Sequence, residues 1–171
     1  FAPSPTGNLH IGGVRTALFS YLFARKNSGK FLLRIEDTDK ARNKKEFEED
    51  ILAGLKILGI NWDNDPPYRQ SDHLALYKKH LEKLIAEDKA YVSKETPTEE
   101  AERGEVIRLR NANKIVKFND LVHGEISMDT SDLGDIVIAK TTDEPIFHFA
   151  NVIDDQINNL QAGFKDFHTR G

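Results

Sequence analysis

The first thirteen residues, FAPSPTGNLHIGG, have a composition that suits the binding of a phosphate group. Pro3 and Pro5 exclude a regular helix, whereas VRTALFSYLFARK directly after this stretch is typical of one. We therefore predict an extended segment, a glycine-rich turn and a helix N-terminus, where backbone N–H groups and the helix dipole receive an anion. His10 adds a side-chain donor. The alternative is a connection that only turns the chain, because the spacing matches neither GxGxxG nor GxxxxGK[ST].

The run RIEDTDKAR places three carboxylates, Glu36, Asp37 and Asp39, at the end of a predicted strand. Ligands of open α/β sheets bind at the carboxyl ends of the strands, so these side chains could hold an amino group or a ribose hydroxyl. The alternative is that Thr38 or Asp39 caps the helix predicted over 45–59. Both uses are compatible, since Asp39 could cap the helix while Glu36 faces a pocket.

Metal binding is not favoured by the sequence. Asp154 and Asp155 end a predicted strand, on which adjacent residues point to opposite faces. The histidines His73, His80 and His123 have no partner at metal-ligand spacing. The sequence contains no cysteine, which excludes disulfides and thiolate zinc sites. We expect no protein-bound metal.

The elements that would position these residues begin with a βαβ unit. A helix over 14–27 is followed by an alternating segment, 30–37, and this order implies a parallel pair of strands. Amphipathic helices are predicted over 45–59 and 74–89, with a loop dense in Pro, Asn and Asp between them. The positions expected to face inward are Val14, Ala17, Leu18, Tyr21, Leu22 and Ala24 in the first helix, Phe47, Ile51, Leu55 and Leu58 in the second, and Leu74, Tyr77, Leu81 and Leu84 or Ile85 in the third.

Beyond Tyr91 the pattern changes to short strands separated by turns. SKETPTEEAERGE is polar and loop-like, and VIRLR, KIVKF, GEISM and DIVIAK are then predicted to form a small antiparallel or mixed module. IFHFANVID (146–154) is predicted to be a further, buried strand. The fold class is therefore α/β, with an insertion between about residues 90 and 147.

Composition places the chain among ordinary globular proteins. The 171 residues are 39% hydrophobic and 30% charged, with a net charge of −4. No apolar run approaches membrane-spanning length and no signal peptide is visible, so we expect a cytoplasmic protein without membrane contact. The negative net charge argues against general nucleic-acid binding, and any such contact would use a local patch of basic residues.

Several stretches of the sequence, taken together and in chain order, form a series of motifs. They are FAPSPTGNLHIGGVRTALFSYLFARK, GKFLLRIEDTDKAR, ILGINWD and PYRQSD, followed by VIRLR, DLVHGEI, DIVIAK and FHFANVIDD. This series resembles the catalytic domain of bacterial-type glutamyl-tRNA synthetase, a class I aminoacyl-tRNA synthetase, over most of the chain. The residues HIGG, which begin at His10, take the place of the His-Ile-Gly-His signature of that class.

The resemblance implies a glutamate–tRNA ligase that serves translation. Such an enzyme joins L-glutamate to ATP, which enters with Mg²⁺, releases pyrophosphate and passes the glutamyl group to the 3′-terminal adenosine of tRNA(Glu). His10 and Gly12 would act in catalysis by contacting the phosphates as the transition state forms. The implied ATP-binding residues are Pro3, Ser4, Thr6, Gly7, His10, Gly12 and Gly13, the glutamate-binding residues are Ala2, Ser4, Glu36, Phe147, Asn151 and Arg170, and secondary candidates near the tRNA 3′ end are Thr38, Asp39 and Arg42.

Individual roles in the amino-acid pocket follow from the same resemblance. Glu36 would bind the α-ammonium, Asn151 would hydrogen-bond the substrate, and Arg170 would pair with the side-chain carboxylate, which suits a planar guanidinium. Phe147 stands where the family often has Tyr, and the change removes one hydroxyl contact. The stretch between Asp155 and Arg170 departs from the family pattern, so the alignment of Arg170 stays open.

The architecture implied by the resemblance is a Rossmann-like parallel-sheet nucleotide-binding domain with an inserted α+β module. The first half of the catalytic domain would span 1–89, the acceptor-stem-binding module 90–147, and an incomplete return to the catalytic domain 148–171. Basic residues of the module could contact tRNA phosphates, and ordinary surface charges are the alternative. These residues are Arg103, Arg108, Arg110, Lys114 and Lys117.

Two family features are absent from the sequence, the Lys-Met-Ser-Lys-Ser signature and an anticodon-binding domain. We therefore expect a portion of a longer enzyme, monomeric when complete, that need not catalyse the reaction alone. A half sheet would expose an unpaired edge, which predicts low stability or self-association. Two alternatives stay open, a glutamyl-queuosine synthetase relative, which glutamylates a modified tRNA nucleoside, and a non-catalytic module that holds a nucleotide or RNA.

Overall fold

The computed structural model describes residues 1–39, 41–95 and 104–160. The described chain divides into two compact units, one of Phe1–His73 with residues 153–160, and one of Leu74–Val152. Both units combine helices with sheets, as the sequence predicts. The domain limits 1–89, 90–147 and 148–171 remain predictions, because compact units record packing and not the modules of a family.

Extended segments in the first unit run parallel to one another. The strands β1 (Arg34–Ile35) and β2 (Tyr68–Arg69) form a parallel pair. The first three residues run beside β1, since the carbonyl of Phe1 accepts from Arg34 N and that of Pro3 accepts from Glu36 N, each at 2.9 Å. An extended segment that runs parallel to β1 therefore precedes α1, but it is not a regular strand, and its place in a βαβ unit stays a prediction.

The strand predicted over 30–37 has a regular ladder only at the two residues of β1. Before β1, side chains and not a neighbouring strand accept hydrogen bonds from the backbone. Phe31 N donates to Asp63 Oδ2 at 2.6 Å, and Leu33 N donates to Asn64 Oδ1 at 2.8 Å. Asp and Asn side chains can satisfy backbone groups in this way. The segment is extended, but most of its pairing is irregular.

Two helices pack on these segments, α1 (Ile11–Lys26) and α2 (Lys45–Ile57). Helix α1 begins three residues before the predicted start, so Gly12 and Gly13 lie in its first turn and not in the turn before it. The outward side of α1 carries Leu18 and Leu22, which are exposed and were expected to face inward. The core of the unit consists of Ala17, Phe31, Leu33, Ile35, Ile51, Leu55 and Ile60.

The predicted cap of α2 is wrong. The N-cap residue is Lys44, whose side chain makes no capping hydrogen bond, and neither Thr38 nor Asp39 occupies that position. Asp39 Oδ1 accepts instead from the backbone N–H groups of Ala41 and Arg42, in a turn that precedes the helix. An Asp side chain that bonds to amides two and three residues later forms such a turn locally, without a helix.

The second unit is built on an antiparallel sheet. Helix α3 (Leu74–Ala86) leads into β3 (Ala90–Lys94), β4 (Glu105–Leu109), β7 (Ile136–Thr141) and β8 (Glu144–Pro145), which pair in that order. The strands β5 (Ile115–Asp120) and β6 (Gly124–Asp129) form a separate hairpin. The strands predicted from VIRLR, KIVKF, GEISM and DIVIAK are thus confirmed as antiparallel. The core contains Leu81, Ala90, Ile107, Ile138 and Ala139.

The segment 146–154, predicted to be a strand, belongs instead to helix α4 (Phe147–Ile157). Its buried residues are Ala150, Asn151, Ile153 and Asp154, a grouping that fits helical and not alternating periodicity. A short apolar run does not distinguish a buried strand from a buried helix. Across the described stretches, none of these helices has both the length and the apolar character required to span a bilayer.

Candidate active site

His10 caps the N-terminus of α1. Its Nδ1 accepts a hydrogen bond from Gly12 N at 3.2 Å, while its carbonyl accepts from Val14 N at 3.0 Å and begins the helical pattern. Because Nδ1 is an acceptor, the neutral ring carries its proton on Nε2. The first turn of α1 contains no acidic residue, so the positive end of the helix dipole is not neutralised locally. The side chain of His10 is exposed and able to reach a ligand.

Helix α2 fixes the residue that precedes His10. Asp50 Oδ2 accepts from Leu9 N at 2.8 Å. At Gly54, one turn later, an added Cβ would lie 2.7 Å from Leu9 Cδ2, so only glycine lets α2 approach this closely without a shift of the leucine. The sequence analysis did not single out Asp50 or Gly54, because their roles depend on a contact between distant segments.

We expect Asp50→Ala to accelerate hydrogen exchange of the Leu9 amide by about fivefold, the effect of losing a hydrogen bond of about 1 kcal/mol at an exposed site. The rate is measured by NMR in deuterated buffer. Glu49→Ala is the matched control, because it removes the same charge from the next position of α2, where Glu49 pairs only loosely with Lys45 at 3.5 Å. Equal acceleration in both variants would contradict the assigned hydrogen bond.

Glu36 follows β1 directly and is 5% exposed. Its Oε1 accepts from Arg34 Nε at 3.2 Å and from Arg34 Nη2 at 2.9 Å. The third nitrogen of the same guanidinium, Nη1, donates to Asp155 Oδ1 at 2.5 Å. Burial lowers the pKa of Arg34, but the hydrogen bond to Asp155 and the charge of Glu36 outweigh it, so the pKa lies above its ordinary value.

Asp154, which directly precedes Asp155 in the sequence, is completely buried. Its Oδ1 accepts from the hydroxyl of Tyr68 and its Oδ2 from Gln70 Nε2, both at 2.7 Å. Helix α4 is therefore tied to β2 and to the 3-10 turn Gln70–His73 by a buried carboxylate. Within the described residues there is no cluster of three His, Asp or Glu side chains that could hold a metal ion.

The other two carboxylates of the RIEDTD run are engaged within the chain. Asp37 accepts from Ser71 N at 2.8 Å and from Ser71 Oγ at 2.6 Å. Asp39 accepts from Arg42 Nε at 2.6 Å, and this hydrogen bond holds the pKa of Asp39 below its usual value. A cavity of about 340 Å³ lies next to them. Its lining consists of Pro5, Asp37, Asn43, Lys44, Lys45, Glu48 and Ser71.

Asn43 lines this cavity, and both the oxygen and the nitrogen of its side-chain amide are buried without a hydrogen-bond partner. Two lining residues, Asp37 and Asn43, are the sequence neighbours of Thr38 and Arg42, which are secondary candidates for contact with the tRNA 3′ end. A larger cavity, of about 560 Å³, is lined by strands β3, β4 and β7 and contains none of the predicted site residues. Volume alone therefore does not locate the site.

Glu36 lies beside the first residues of the chain. The hydrogen bond from Glu36 N to the carbonyl of Pro3 sets Glu36 beside the segment that contains Ala2 and Ser4. Ser4 and Thr6 are exposed, and a tight turn joins them through Thr6 N and the carbonyl of Ser4 at 2.8 Å. Open space surrounds the Cβ position of Gly7.

The remaining predicted glutamate-binding residues lie in other parts of the chain. Phe147 and Asn151 belong to the second unit, in the first half of α4, where Asn151 is 5% exposed and Phe147 is 41% exposed. The ring of Phe147 packs edge-on against His148. Arg170 lies outside the described residues.

The basic residues predicted for the inserted module are mostly paired with acidic residues. Arg108 binds Glu95 at 2.8 Å, Arg110 binds Asp88 at 2.9 Å, and Lys117 binds Glu125 at 3.2 Å. The Arg108–Glu95 pair is half-buried and the other two pairs are exposed. Because all three pairs satisfy the charges locally, they favour ordinary surface charges over a concentrated basic patch. Arg103 lies outside the described residues.

Comparison with known proteins gives one consistent family. The family model described as tRNA synthetases class I (E and Q), catalytic domain, matches residues 1–105 and 95–165. The chain is 42% identical over 182 residues to a glutamate–tRNA ligase of Petrotoga mobilis, covering 94% of this chain and 39% of the relative. It is 41% identical over 201 residues to a glutamate–tRNA ligase of Halalkalibacterium halodurans, covering 94% and 41%.

A solved structure agrees with this family. The crystal structure of a glutamate tRNA ligase from Elizabethkingia meningosepticum in complex with its amino acid matches with a TM-score of 0.80 and 35% sequence identity. The match covers 92% of this chain and 41% of that one. The chain thus spans about two fifths of the length of these relatives.

Proposed function

The chain belongs to the family of class I tRNA synthetase catalytic domains for glutamate and glutamine, and on that premise we propose that it binds ATP and glutamate in a glutamate–tRNA ligase. The observation that carries the proposal is the hydrogen bond from Glu36 N to the carbonyl of Pro3 at 2.9 Å. It sets a buried carboxylate beside the segment that leads to the N-terminus of α1. The residues proposed to bind an ammonium and those proposed to bind phosphates therefore belong to the same unit.

The parallel segments of the first unit support a Rossmann-like sheet as the base of this site. The first three residues, β1 and β2 lie side by side and are parallel. Ligands of such sheets bind where the strands end, which is the position of Glu36. From membership of the family alone, we extend the proposal to an inserted module between about residues 90 and 147, the region of strands β3 to β8, that contacts the tRNA acceptor stem.

The ATP phosphates would occupy the N-terminus of α1. The amides of Ile11, Gly12 and Gly13 precede the first intrahelical hydrogen bond, so they are the donors that a helix start offers to an anion. Gly12 N is now bound to His10 Nδ1, and a phosphate oxygen would compete for it. His10 Nε2–H is a second donor. The open space at Gly7, together with Pro3, Ser4 and Thr6, leaves room for the nucleotide.

Glutamate would bind beside β1. The carboxylate of Glu36 would receive the α-ammonium of the substrate as a charge-assisted hydrogen bond. Ala2 and Ser4 would line the same pocket from the neighbouring segment. By resemblance to the family, the further proposed glutamate-binding residues are Asn151, Phe147 and Arg170, of which Arg170 would pair with the side-chain carboxylate of the substrate.

In the proposed reaction the protein itself forms no covalent bond with the substrates. A substrate carboxylate oxygen bonds to the α-phosphorus of Mg²⁺-bound ATP, and the bond from that phosphorus to the bridging oxygen breaks, which releases pyrophosphate. A ribose hydroxyl of the tRNA 3′-terminal adenosine then attacks the glutamyl carbonyl carbon and AMP leaves. The residues contribute by aligning the reactants and by donating hydrogen bonds to the charge that develops on the phosphate oxygens.

Calorimetric titration with a non-hydrolysable glutamyl-adenylate analogue tests the proposal. We expect the chain to prefer it over the glutaminyl and aspartyl analogues by about tenfold or more, and His10→Ala to weaken binding about tenfold through the loss of a charge-assisted donor. His123→Ala, in the exposed turn between β5 and β6, is the matched control and should change nothing. A folded chain that binds no analogue, or binds all three equally, would overturn the proposal.

The two alternatives give different results. A non-catalytic nucleotide-binding module would bind the three analogues without selecting the glutamyl group. A glutamyl-queuosine synthetase relative would select the glutamyl analogue but would also transfer glutamate to a tRNA that lacks its 3′-terminal adenosine. A glutamate–tRNA ligase requires that adenosine.

A further inference from the structure

Arg34 connects two carboxylates that come from opposite ends of the chain. Through Nε and Nη2 it grips Oε1 of Glu36, and through Nη1 it holds Oδ1 of Asp155, 121 residues later in the sequence. The side chain of Arg34 is 14% exposed, and that of Glu36 is 4% exposed. The two edges of one planar guanidinium thus serve two different elements, β1 and α4.

This arrangement costs desolvation energy that a stability role alone does not require. Buried ion pairs are often no more stabilising than apolar side chains of similar volume, so stability alone does not account for the pair of Arg34 and Glu36. Arg34 and Glu36 stand two residues apart in an extended segment and therefore share a face. The three side chains together carry one net negative charge, which a bound ammonium would neutralise.

We propose that Arg34 is the positioning residue for the α-ammonium of the substrate, and that Asp155 anchors Arg34. Arg34 holds one oxygen of Glu36 and so fixes the rotation of the carboxylate that receives the ammonium. Asp155 holds the opposite edge of the guanidinium and prevents it from turning away. The inference rests on the proposed function, because it takes from there the role of Glu36.

The fork geometry of arginine makes a sharp prediction about substitutions. Lysine at position 34 keeps the charge but has no second edge, so it can hold Glu36 or Asp155 but not both in the same geometry. Asparagine at position 155 keeps a hydrogen-bond acceptor and loses the charge. Both conservative changes should therefore give part of the effect of Arg34→Gln.

The test compares two non-hydrolysable probes, a glutamyl-adenylate analogue and the glutaryl analogue that lacks only the α-amino group. We expect the wild-type chain to prefer the glutamyl probe and Arg34→Gln to lose about tenfold of that preference, with affinity for the glutaryl probe nearly unchanged, as expected for a misplaced charged hydrogen bond. Arg34→Lys and Asp155→Asn should each lose about threefold. A merely structural role would weaken both probes together.

Arg25→Gln is the matched control, because Arg25 forms a similar two-nitrogen pair with Asp63 in the same unit, at 2.7 and 3.1 Å. It should leave the preference within twofold. If Glu36→Gln abolishes the preference while Arg34→Gln keeps it, the inference is overturned and the proposed function stands. If the wild-type chain shows no preference for the glutamyl probe, the proposed function fails and the inference fails with it.

Discussion

Replacing Asp154 with alanine is expected to lower the free energy of unfolding of the first unit by about 2–4 kcal/mol, because the buried amide of Gln70 and the half-buried hydroxyl of Tyr68 lose a charged acceptor. Tyr68 OH and Gln70 Nε2 each reach the carboxylate at 2.7 Å, and both Gln70 and Asp154 are fully buried. The gain from no longer burying the carboxylate offsets part of this loss but not all of it, since the two donors stay in place.

Urea unfolding followed by tryptophan fluorescence measures this effect selectively. The sequence contains one tryptophan, Trp62, which packs against the core of the first unit. Asp154→Asn is the matched control, because it keeps the shape and one acceptor oxygen, and we expect it to lose about half as much. A midpoint for Asp154→Ala equal to that of the wild type would show that the carboxylate does not hold β2 to α4.

The sequence identified the edges of the candidate site but not the contacts that organise it. His10 and Glu36 could be proposed from a helix start and a strand end, because both follow from local pattern. Arg34 was also within reach, since it stands two residues before Glu36 on the same strand face. Asp50 and Gly54 were not, because their contacts with Leu9 join segments more than forty residues apart.

The sequence analysis placed Asp154 and Asp155 at the end of a strand, and that secondary structure was wrong. On a strand, neighbouring residues point to opposite faces, and for this reason the sequence analysis did not favour a metal site at these two carboxylates. In helix α4 the two directions differ by about 100°, so Asp154 reaches Tyr68 while Asp155 reaches Arg34. The apolar run before them is too short for periodicity to separate the two structures.

The elements with clear periodicity were predicted well. Helices α2 and α3 and the strands β4 to β7 lie within a few residues of their predicted bounds. The parallel pair was predicted in direction but not in extent, because Asp63 and Asn64 bind the backbone of residues 31–33 with their side chains. Hydrophobic pattern records burial, and it carries no information on which partner satisfies a backbone group.

The limit of the hydrophobic pattern is clearest in α2, where Leu55 and Leu58 were both expected to face inward. Leu55 is 0% exposed and packs in the core, whereas Leu58, three residues later, is 53% exposed at the end of the helix. We expect Leu55→Ala to lower the free energy of unfolding by about 2–5 kcal/mol through lost burial and the cavity that it leaves. Leu58→Ala should change it by less than about 0.5 kcal/mol.

The same urea titration, followed by tryptophan fluorescence, compares these two variants. Each replaces one leucine of the same segment with alanine, so only the position of the change differs. Because Leu55 contributes to the same core as Phe31, Leu33 and Ile35, its loss should also loosen the segment that carries Arg34 and Glu36. We therefore expect the amides of β1 to exchange faster in Leu55→Ala and to stay unchanged in Leu58→Ala. Equal destabilisation by both substitutions would mean that Leu58 is buried in solution, and that α2 packs with a wider face than the structure describes.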